Sequence, residues 1–587
     1  MLYRSAGRVL LVTVSFVHAR ADVPRPVIRL SQQALLRELT LLNESVDGRL
    51  FAVTPWELPC FSNLNGIAVA RNDTECAAIQ ANYTNPLFRA THFGAYMIPE
   101  WETCQTESPS GGCLLDPSDP SDPLAFDKAA CHSGNLASYF IDVRYYTDVQ
   151  KALRFSEMTG IRLSVKNKGH DYKGRSSGKG TLALWVRNLH DQFSYEPEFV
   201  PEGCSTSYDA VTIGPGVLTQ TIYEYADAVN KTFIGGYSQS VGAGGGFFLG
   251  GGHSVLSPVY GLAVDRVVQV KVVTANGQYL VANECSNTDL FFALRGGGGS
   301  AFGVVMESSH RLEPQLTLQV ASLNFTGHSN LSTLAIWYET LVNETYKWGT
   351  QGWGGHIVGP TLIFVNSLLS NADAKASMRT AADFALAQGG TAIVEELPSY
   401  LAFFNKYVTL AEASVGPELI LGSRLIPTSL FESAEGRETL SSTIAGLLSF
   451  ASPYIPVVPP FLYNYTEGTT SVTPAWRRSL WHLSLHNVWS WNSSVDYIQE
   501  QYEAVTQHVQ QFRDITPGSG AYFNEGDVYE PNHTYSYWGN NYERLLSIKK
   551  RYDPVGLLDC WQCGLCILDR FNAFNLLTHF SWLEGRK

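Results

Sequence analysis

Val165-Lys-Asn-Lys-Gly-His-Asp-Tyr-Lys-Gly-Arg-Ser-Ser177 is a glycine-punctuated loop that follows directly on an apolar strand. Glycines there let backbone N–H groups approach an anion closely, and small hydroxyl residues add donors, which suits the pyrophosphate of a dinucleotide. Upstream, Tyr139 to Val143 reads as a strand and Thr147 to Thr159 as a helix, with Thr147 as N-cap and Val149, Leu153 and Phe155 inside. Gly160 stops the helix and Ile161 to Val165 forms the next strand, so the loop closes a β-α-β unit. Downstream stands a second block, Gly235-Gly-Tyr-Ser-Gln-Ser-Val-Gly-Ala-Gly-Gly-Gly-Phe-Phe-Leu-Gly-Gly-Gly-His-Ser254. It has too many glycines at helix positions for a Rossmann fingerprint. Tyr260-Gly-Leu-Ala-Val-Asp265 comes next, then strands Val267 to Thr274 and Tyr279 to Ala282 around Asn276-Gly277, a strong hairpin signal. Leu294-Arg-Gly-Gly-Gly-Gly-Ser300 closes the region. Either glycine block alone reads equally well as turns in a β-rich core.

Outward from this centre the pattern changes. Residues 315 to 500 mix strands with amphipathic helices; Trp481 to Trp491 alternates like a strand, and the aromatic stretch 337 to 357 reads as core or pocket wall. The stretch 515 to 560 is Tyr-rich and turns helical from Asn541 to Lys550. On the other side, residues 22 to 122 form a Cys-bearing lead-in that ends in an Asp-Pro-Ser repeat with linker character. No fixed-period repeat is present.

Bulk properties bound the function. A chain of 587 residues, 45% hydrophobic and 16% charged, can bury a sizeable core. Net charge is −13 and no Lys/Arg run could neutralise neighbouring phosphates, which argues against a nucleic-acid partner. Arg4 and Arg8 precede an apolar stretch, Val9 to Val17, and then Ala19-Arg20-Ala21, so residues 1–21 read as a cleavable signal peptide too short to span a bilayer. No later window reaches spanning length. Asn43, Asn72, Asn82, Asn230, Asn324, Asn330, Asn343, Asn464, Asn492 and Asn532 open N-x-S/T sequons, usable in a secreted glycoprotein. Five of the ten cysteines (Cys60, Cys76, Cys104, Cys113 and Cys131) lie before position 135, where disulfides would supply order to a thin core. Their pairing is not legible. Cys560-x-x-Cys563-x-x-Cys566 lacks a matching second pair, so no metal is expected.

Taken together and in order, the glycine blocks resemble the FAD-binding domain of the vanillyl-alcohol oxidase and p-cresol methylhydroxylase (PCMH) superfamily, in its fungal berberine-bridge-enzyme-like branch. Tyr537-Trp-Gly-Asn-Asn-Tyr-Glu-Arg-Leu-Leu-Ser-Ile-Lys-Lys-Arg-Tyr-Asp-Pro554 resembles the berberine-bridge closing motif. The resemblance implies an α+β fold: a two-part PCMH-type FAD domain over 123–314, an inserted α+β substrate domain over 315–514, and a berberine-bridge segment over 515–564 that completes the FAD domain. The tail, 565–587, has no counterpart. His170 falls on the histidine that joins the flavin 8α-methyl carbon, and neutral imidazole is a suitable nucleophile. Many relatives add a cysteinyl link; here Ser238 stands at that position, so a single covalent link is expected. The cofactor-binding set carried over is Lys168, Gly169, His170, Asp171, Gly174, Arg175, Ser176, Ser240, Val241, Gly242, Gly246, Gly251, Gly252, His253, Tyr260, Gly261 and Asp265. His253 is expected to act through backbone spacing. Val241 matches the gatekeeper at the flavin's oxygen-accessible face, where a small branched residue accompanies oxidases.

Flavin oxidation of an alcohol or amine needs a base within reach of the departing proton. Where the family has Tyr-x-Asn-Tyr, this chain has Tyr522-Phe-Asn-Glu525, which places a carboxylate at the second tyrosine. Glu525 is the expected base, its pKa raised by apolar surroundings, with Tyr522 and Asn524 positioning substrate or flavin. His482 and His486 share one strand face and read as pocket or packed residues. The implied activity is oxidation, by O2, of a CH–OH or CH–NH group on a small secondary metabolite, aromatic or terpenoid-like. Oxidative cyclisation, carbohydrate oxidation and a non-catalytic secreted glycoprotein are the alternatives.

Overall fold

The computed structural model describes residues 31–99, 112–191, 193–326, 330–409 and 412–559. The signal segment, Cys104, the Cys560 to Cys566 cluster and the 565–587 tail lie outside them.

Three sheets organise these residues. The first joins β1 (Leu50–Ala52), β2 (Tyr139–Asp142), β3 (Leu163–Lys166) and β4 (Leu182–Trp185) in the order β1-β2-β4-β3. The expected β-α-β unit is present, with α1 spanning Tyr146–Thr159 and Gly160 ending it at φ 73°. Its two strands do not touch, however: β4 lies between them, parallel to both. The helix start also differs. Thr147 is inside the helix, and the Asp148 carboxylate accepts the Arg144 and Tyr145 backbone N–H groups at 2.9 and 3.0 Å. A charged carboxylate oxygen accepts both N–H groups more strongly than a neutral hydroxyl would.

The lead-in is not a free-standing unit. Its strand β1 pairs antiparallel with β2, Leu50 opposite Ile141. Disulfides Cys60–Cys76 and Cys113–Cys131 close it locally. It then reaches the first glycine loop: Met97 N–H donates to the Gly169 carbonyl at 3.0 Å, and the Tyr96 hydroxyl to the Ser176 carbonyl at 3.0 Å.

The second sheet joins β5 (Phe193–Phe199), β6 (Tyr208–Ile213), β7 (Val267–Val273), β8 (Tyr279–Asn283) and β9 (Val304–Arg311) in the order β8-β7-β9-β6-β5. The Asn276-Gly277 hairpin connects β7 and β8, with Gly277 at φ 80°. A third disulfide, Cys204–Cys285, spans this sheet's edge. The C-terminal helix Tyr542–Tyr552 returns here, burying Leu545 and Ile548 against Leu262, Val267 and Phe292.

The third sheet is the largest. It contains β10 (Leu318–Asn324), β11 (Gly354–Val358), β12 (Thr361–Asn366), β13 (Thr391–Leu397), β14 (Glu418–Pro427), β15 (Tyr454–Val457) and β16 (Ser479–Trp489), ordered β13-β10-β12-β11-β15-β16-β14. Adjacent strands run antiparallel, so one face can be dry and the other open. Helices Leu331–Gln351, Asn371–Ala387, Ala434–Leu447 and Val495–Ile515 cover one face, with Trp337, Trp348 and Trp481 buried among them. The other face looks toward the glycine loops. No described helix is long and apolar enough to cross a membrane.

Candidate active site

A cavity of about 820 Å³ lies between the glycine loops and the open face of the third sheet, lined from one side by His170 and Val241 and from the other by His356 and Leu421. Its glycine side is built by close approach. A Cβ at Gly242 would stand 2.2 Å from the Asn167 amide nitrogen, and one at Gly169, where φ is 86°, would stand 3.2 Å from Tyr96 Cα. Only glycine allows these loops to meet. Gly246 and Gly299 differ: both line the cavity, and nothing lies within 4 Å of where their Cβ would be. A flat ligand can therefore lie directly on their backbone.

The polar groups on this side suit FAD. Burial and the neighbouring Arg187 push the Lys168 ammonium down to about 7, and no carboxylate offsets them. A buried cation of this kind is suited to a pyrophosphate. His170 Nε2 lies 2.8 Å from Ser240 Oγ, and burial lowers the ring's pKa to about 4, so the imidazole is neutral. Glycine bed, cation and neutral imidazole together fit a flavin dinucleotide.

The loop is bolted to the C-terminal segment. Arg175 pairs with Asp171, reaches Asn524 Oδ1 at 3.2 Å and sits 3.7 Å over the Phe523 ring. The Asn524 amide donates to the His170 carbonyl at 3.2 Å. Asn524 and Arg175 thus tie the C-terminal segment to the backbone of His170, and both line the cavity.

Glu525 is next in the chain and lines the same cavity. Its Oε1 lies 3.2 Å from His253 Nε2, and its Oε2 lies 3.6 Å from Nδ1 of the fully buried His482. Burial alone would raise the carboxyl's pKa, but charge interaction and hydrogen bonding with His253, then His482, outweigh it, and the net direction is down. The expected rise is therefore overturned. Apolar walls are present, yet two imidazoles favour the charged carboxylate more than burial disfavours it. His253 also departs from expectation: its ring, not its backbone spacing, is what reaches Glu525. His482 is held neutral, its pKa lowered to about 4 by burial. Tyr522 packs edge-on to His482, ring centroids 5.8 Å apart, and burial pushes its phenol pKa far up, so it stays protonated.

Several expected cofactor residues do other work. The Asp265 carboxylate takes two 2.7 Å bonds from Arg477, the Tyr260 hydroxyl meets Ser367, and neither these nor Gly261 line the cavity. Gly251 and Gly252 sit behind it, accepting the Val264 and Ala263 N–H groups. Gly174 belongs to the turn that begins at Asp171. Lys168, Gly169, Asp171, Arg175, Ser176, Val241, Gly242, Gly246 and His253 do line the cavity, and Ser240 reaches it through His170. Two features escape sequence reasoning. Glu412 binds the Ser238 hydroxyl and the Gln239 backbone and side-chain amides, the latter two at 3.0 and 2.7 Å. His356 Nδ1 lies 2.6 Å from the Tyr454 hydroxyl beside the cavity. Nothing local in the sequence signals either pair.

A glycine-lined dinucleotide cleft that faces an antiparallel sheet, with a carboxylate–histidine cluster between them, defines a flavoprotein of the vanillyl-alcohol oxidase type. Residues 137–283 match the family described as FAD binding domain, and residues 521–559 the one described as berberine and berberine like. The FAD-linked oxidoreductase ffsJ of Aspergillus flavipes is 40% identical over 569 residues, covering 90% of this chain and 92% of that protein. The crystal structure of the VAO-type flavoprotein MtVAO615 from Myceliophthora thermophila superposes with a TM-score of 0.75 at 25% identity, covering 91% of this chain and 95% of that one. Glucooligosaccharide oxidase from Acremonium strictum shares the fold at a TM-score of 0.59 and 21% identity, over 71% of this chain and 90% of that one. The chain belongs to the fungal FAD-linked oxidoreductases of the berberine-bridge-like family, and it is an enzyme.

Proposed function

We propose that this enzyme carries FAD through one covalent link on His170 and oxidises a CH–OH group of a small organic molecule, with Glu525 as the base. The observation that carries this reading is the Glu525 carboxylate, kept ionised by His253 inside the cavity that His170 lines. When bound, FAD supplies a hydride acceptor at N5. The protein's part is proton handling and placement. An ionised carboxylate in hydrogen-bond reach takes the hydroxyl proton as the C–H bond breaks. His253 then shares that proton across its 3.2 Å contact. Tyr522, held protonated, donates a hydrogen bond but does not act as base.

With His170 Nε2 engaged by Ser240, Nδ1 is the nitrogen left for attachment. Ser238, its hydroxyl on Glu412, offers no thiol for a second link. Val241 lines the cavity, and its small side chain supports reoxidation by O2. Secretion is supported by three disulfides and by sequon asparagines, none of which is buried. An oxygen electrode with peroxide detection, run over alcohols, amines and sugars, tests the reading. Oxygen uptake with stoichiometric H2O2 on an alcohol supports it; a yellow protein inert to all three classes in air and with artificial acceptors refutes it.

A further inference from the structure

We infer that the substrate is an alcohol with an extended aliphatic or alicyclic body, lying along the open face of the third sheet with its hydroxyl end at Glu525. This names the substrate class of the site above and rests on that reading.

The argument comes from strand alternation. On β16, Trp481, Leu483 and Leu485 enter the helix-covered core. His482, Ser484, His486 and Val488 must then point the other way, and the last three line the cavity. On β14, Leu419 stands opposite Val488 and Leu421 opposite His486, while the intervening Ile420 is in the core. Across the sheet, Val358 stands opposite Thr361 and His356 opposite Ile363, again on the cavity face.

These positions are graded. His482, beside Glu525, is fully buried, whereas Val488, six residues along the same strand, is 53% exposed and Val358 is 51% exposed. At strand spacing that run covers roughly 20 Å. The deep end is polar: Glu525, His253 and His482. One step along, Val358, Tyr454 and Ser484 stand side by side, and the outer end carries Leu419, Leu421 and Val488 around His486. Folding leaves Val488 exposed and Leu419 and Leu421 half-buried, and a hydrocarbon body laid over them gains the remaining burial. An oligosaccharide there would lose water from its hydroxyls over the aliphatic groups and find His486 as the polar partner between them.

The test uses the oxidised holoenzyme under anaerobic conditions, titrated with 2-hexanol, 2-octanol, 2-decanol and cellobiose while flavin absorbance is followed. Affinity is expected to rise about two- to fourfold per added methylene, with cellobiose binding more weakly than 2-decanol. The double substitution Leu421→Ser, Val488→Ser changes side chains that face the cavity, and retained yellow colour reports its fold; it is expected to flatten the chain-length dependence. A flat series in the wild type, tighter binding of cellobiose, or an unchanged slope in the double variant overturns the inference. Graded binding without any flavin reduction would leave the substrate class standing and count against Glu525-assisted oxidation instead.

Discussion

His170 Nε2 rests 2.8 Å from Ser240 Oγ, and in the proposed covalent link this contact leaves Nδ1 as the nitrogen free for the flavin. Ser240 itself is fully buried. Acid-precipitated protein is expected to stay yellow, with flavin on the peptide containing His170. His170→Ala is expected to give a colourless pellet while still binding FAD in solution, because Lys168 and the glycine bed remain. Colour lost from the wild-type pellet would exclude the covalent link.

Lys168 offers an independent check on the cofactor's orientation. Its ammonium is opposed by burial and by Arg187, so a phosphate anion is the partner that would restore its charge. Lys168→Met removes that cation and keeps the chain's bulk. Purified variant is expected to hold at least about tenfold less flavin per protein, as a lost charged hydrogen bond implies. An unchanged flavin-to-protein absorbance ratio would place the pyrophosphate elsewhere.

What the sequence disclosed was local. Gly160, Asn276-Gly277 and the alternation after Trp481 each act within a few residues, and each appears in the structure where the pattern puts it. Pairings between distant segments were not legible. The insertion of β4 between β2 and β3, and the docking of Tyr96 and Met97 onto the first glycine loop, depend on contacts that no local period encodes. The site shows the same division. His170 and Glu525 stand out by motif position, but His253 acquires its role only because the fold brings it to a residue 272 positions away. Asp265 stands out by motif, but its partner Arg477, 212 positions on, is supplied by the fold.

Val241 is the residue on which the proposed reaction with O2 can be tested. It lines the cavity immediately before Gly242, where a Cβ would stand 2.2 Å from the Asn167 amide nitrogen. Val241→Leu adds one methylene beside this tight contact. Reoxidation of the reduced enzyme by O2 is expected to slow by about tenfold or more, with anaerobic reduction unchanged. Rapid-mixing traces of reduced enzyme with air-saturated buffer check this. Equal rates in both forms would remove Val241 from the oxygen path.

The Cys204–Cys285 bridge closes a loop of 81 residues around the second sheet. Long loops gain most from cross-linking because the unfolded chain loses more freedom. Replacing both cysteines with serine is expected to cost about 3 kcal/mol, visible as a lower thermal midpoint in the flavin-loaded protein. Loss of less than about 0.5 kcal/mol would mean that the sheet edge is held by its other contacts. Asn283, hydrogen-bonded to the Glu202 carbonyl at 2.9 Å and to Gln269 at 3.0 Å, is the nearest of these.

Glu525 carries the most consequential prediction. Its carboxyl is buried, which favours the neutral acid, yet His253 and His482 reverse that preference and hold its pKa below the usual carboxylate value. A base is competent only when deprotonated, so flavin reduction should stay fast from neutral pH down through the ordinary carboxylate range. It should fail only at lower pH. Of the two neighbours that lower the Glu525 carboxyl's pKa, His253 has the larger effect, so His253→Ala should move that acidic limb to higher pH. Glu525→Gln keeps size and most hydrogen bonds but cannot accept the proton. It should leave substrate binding largely intact and slow reduction by about 10²–10⁴. Anaerobic stopped-flow across pH reads all three variables at once. Reduction by Glu525→Gln within about threefold of wild type, or an acidic limb that ignores the loss of His253, would show that the proton leaves by another route.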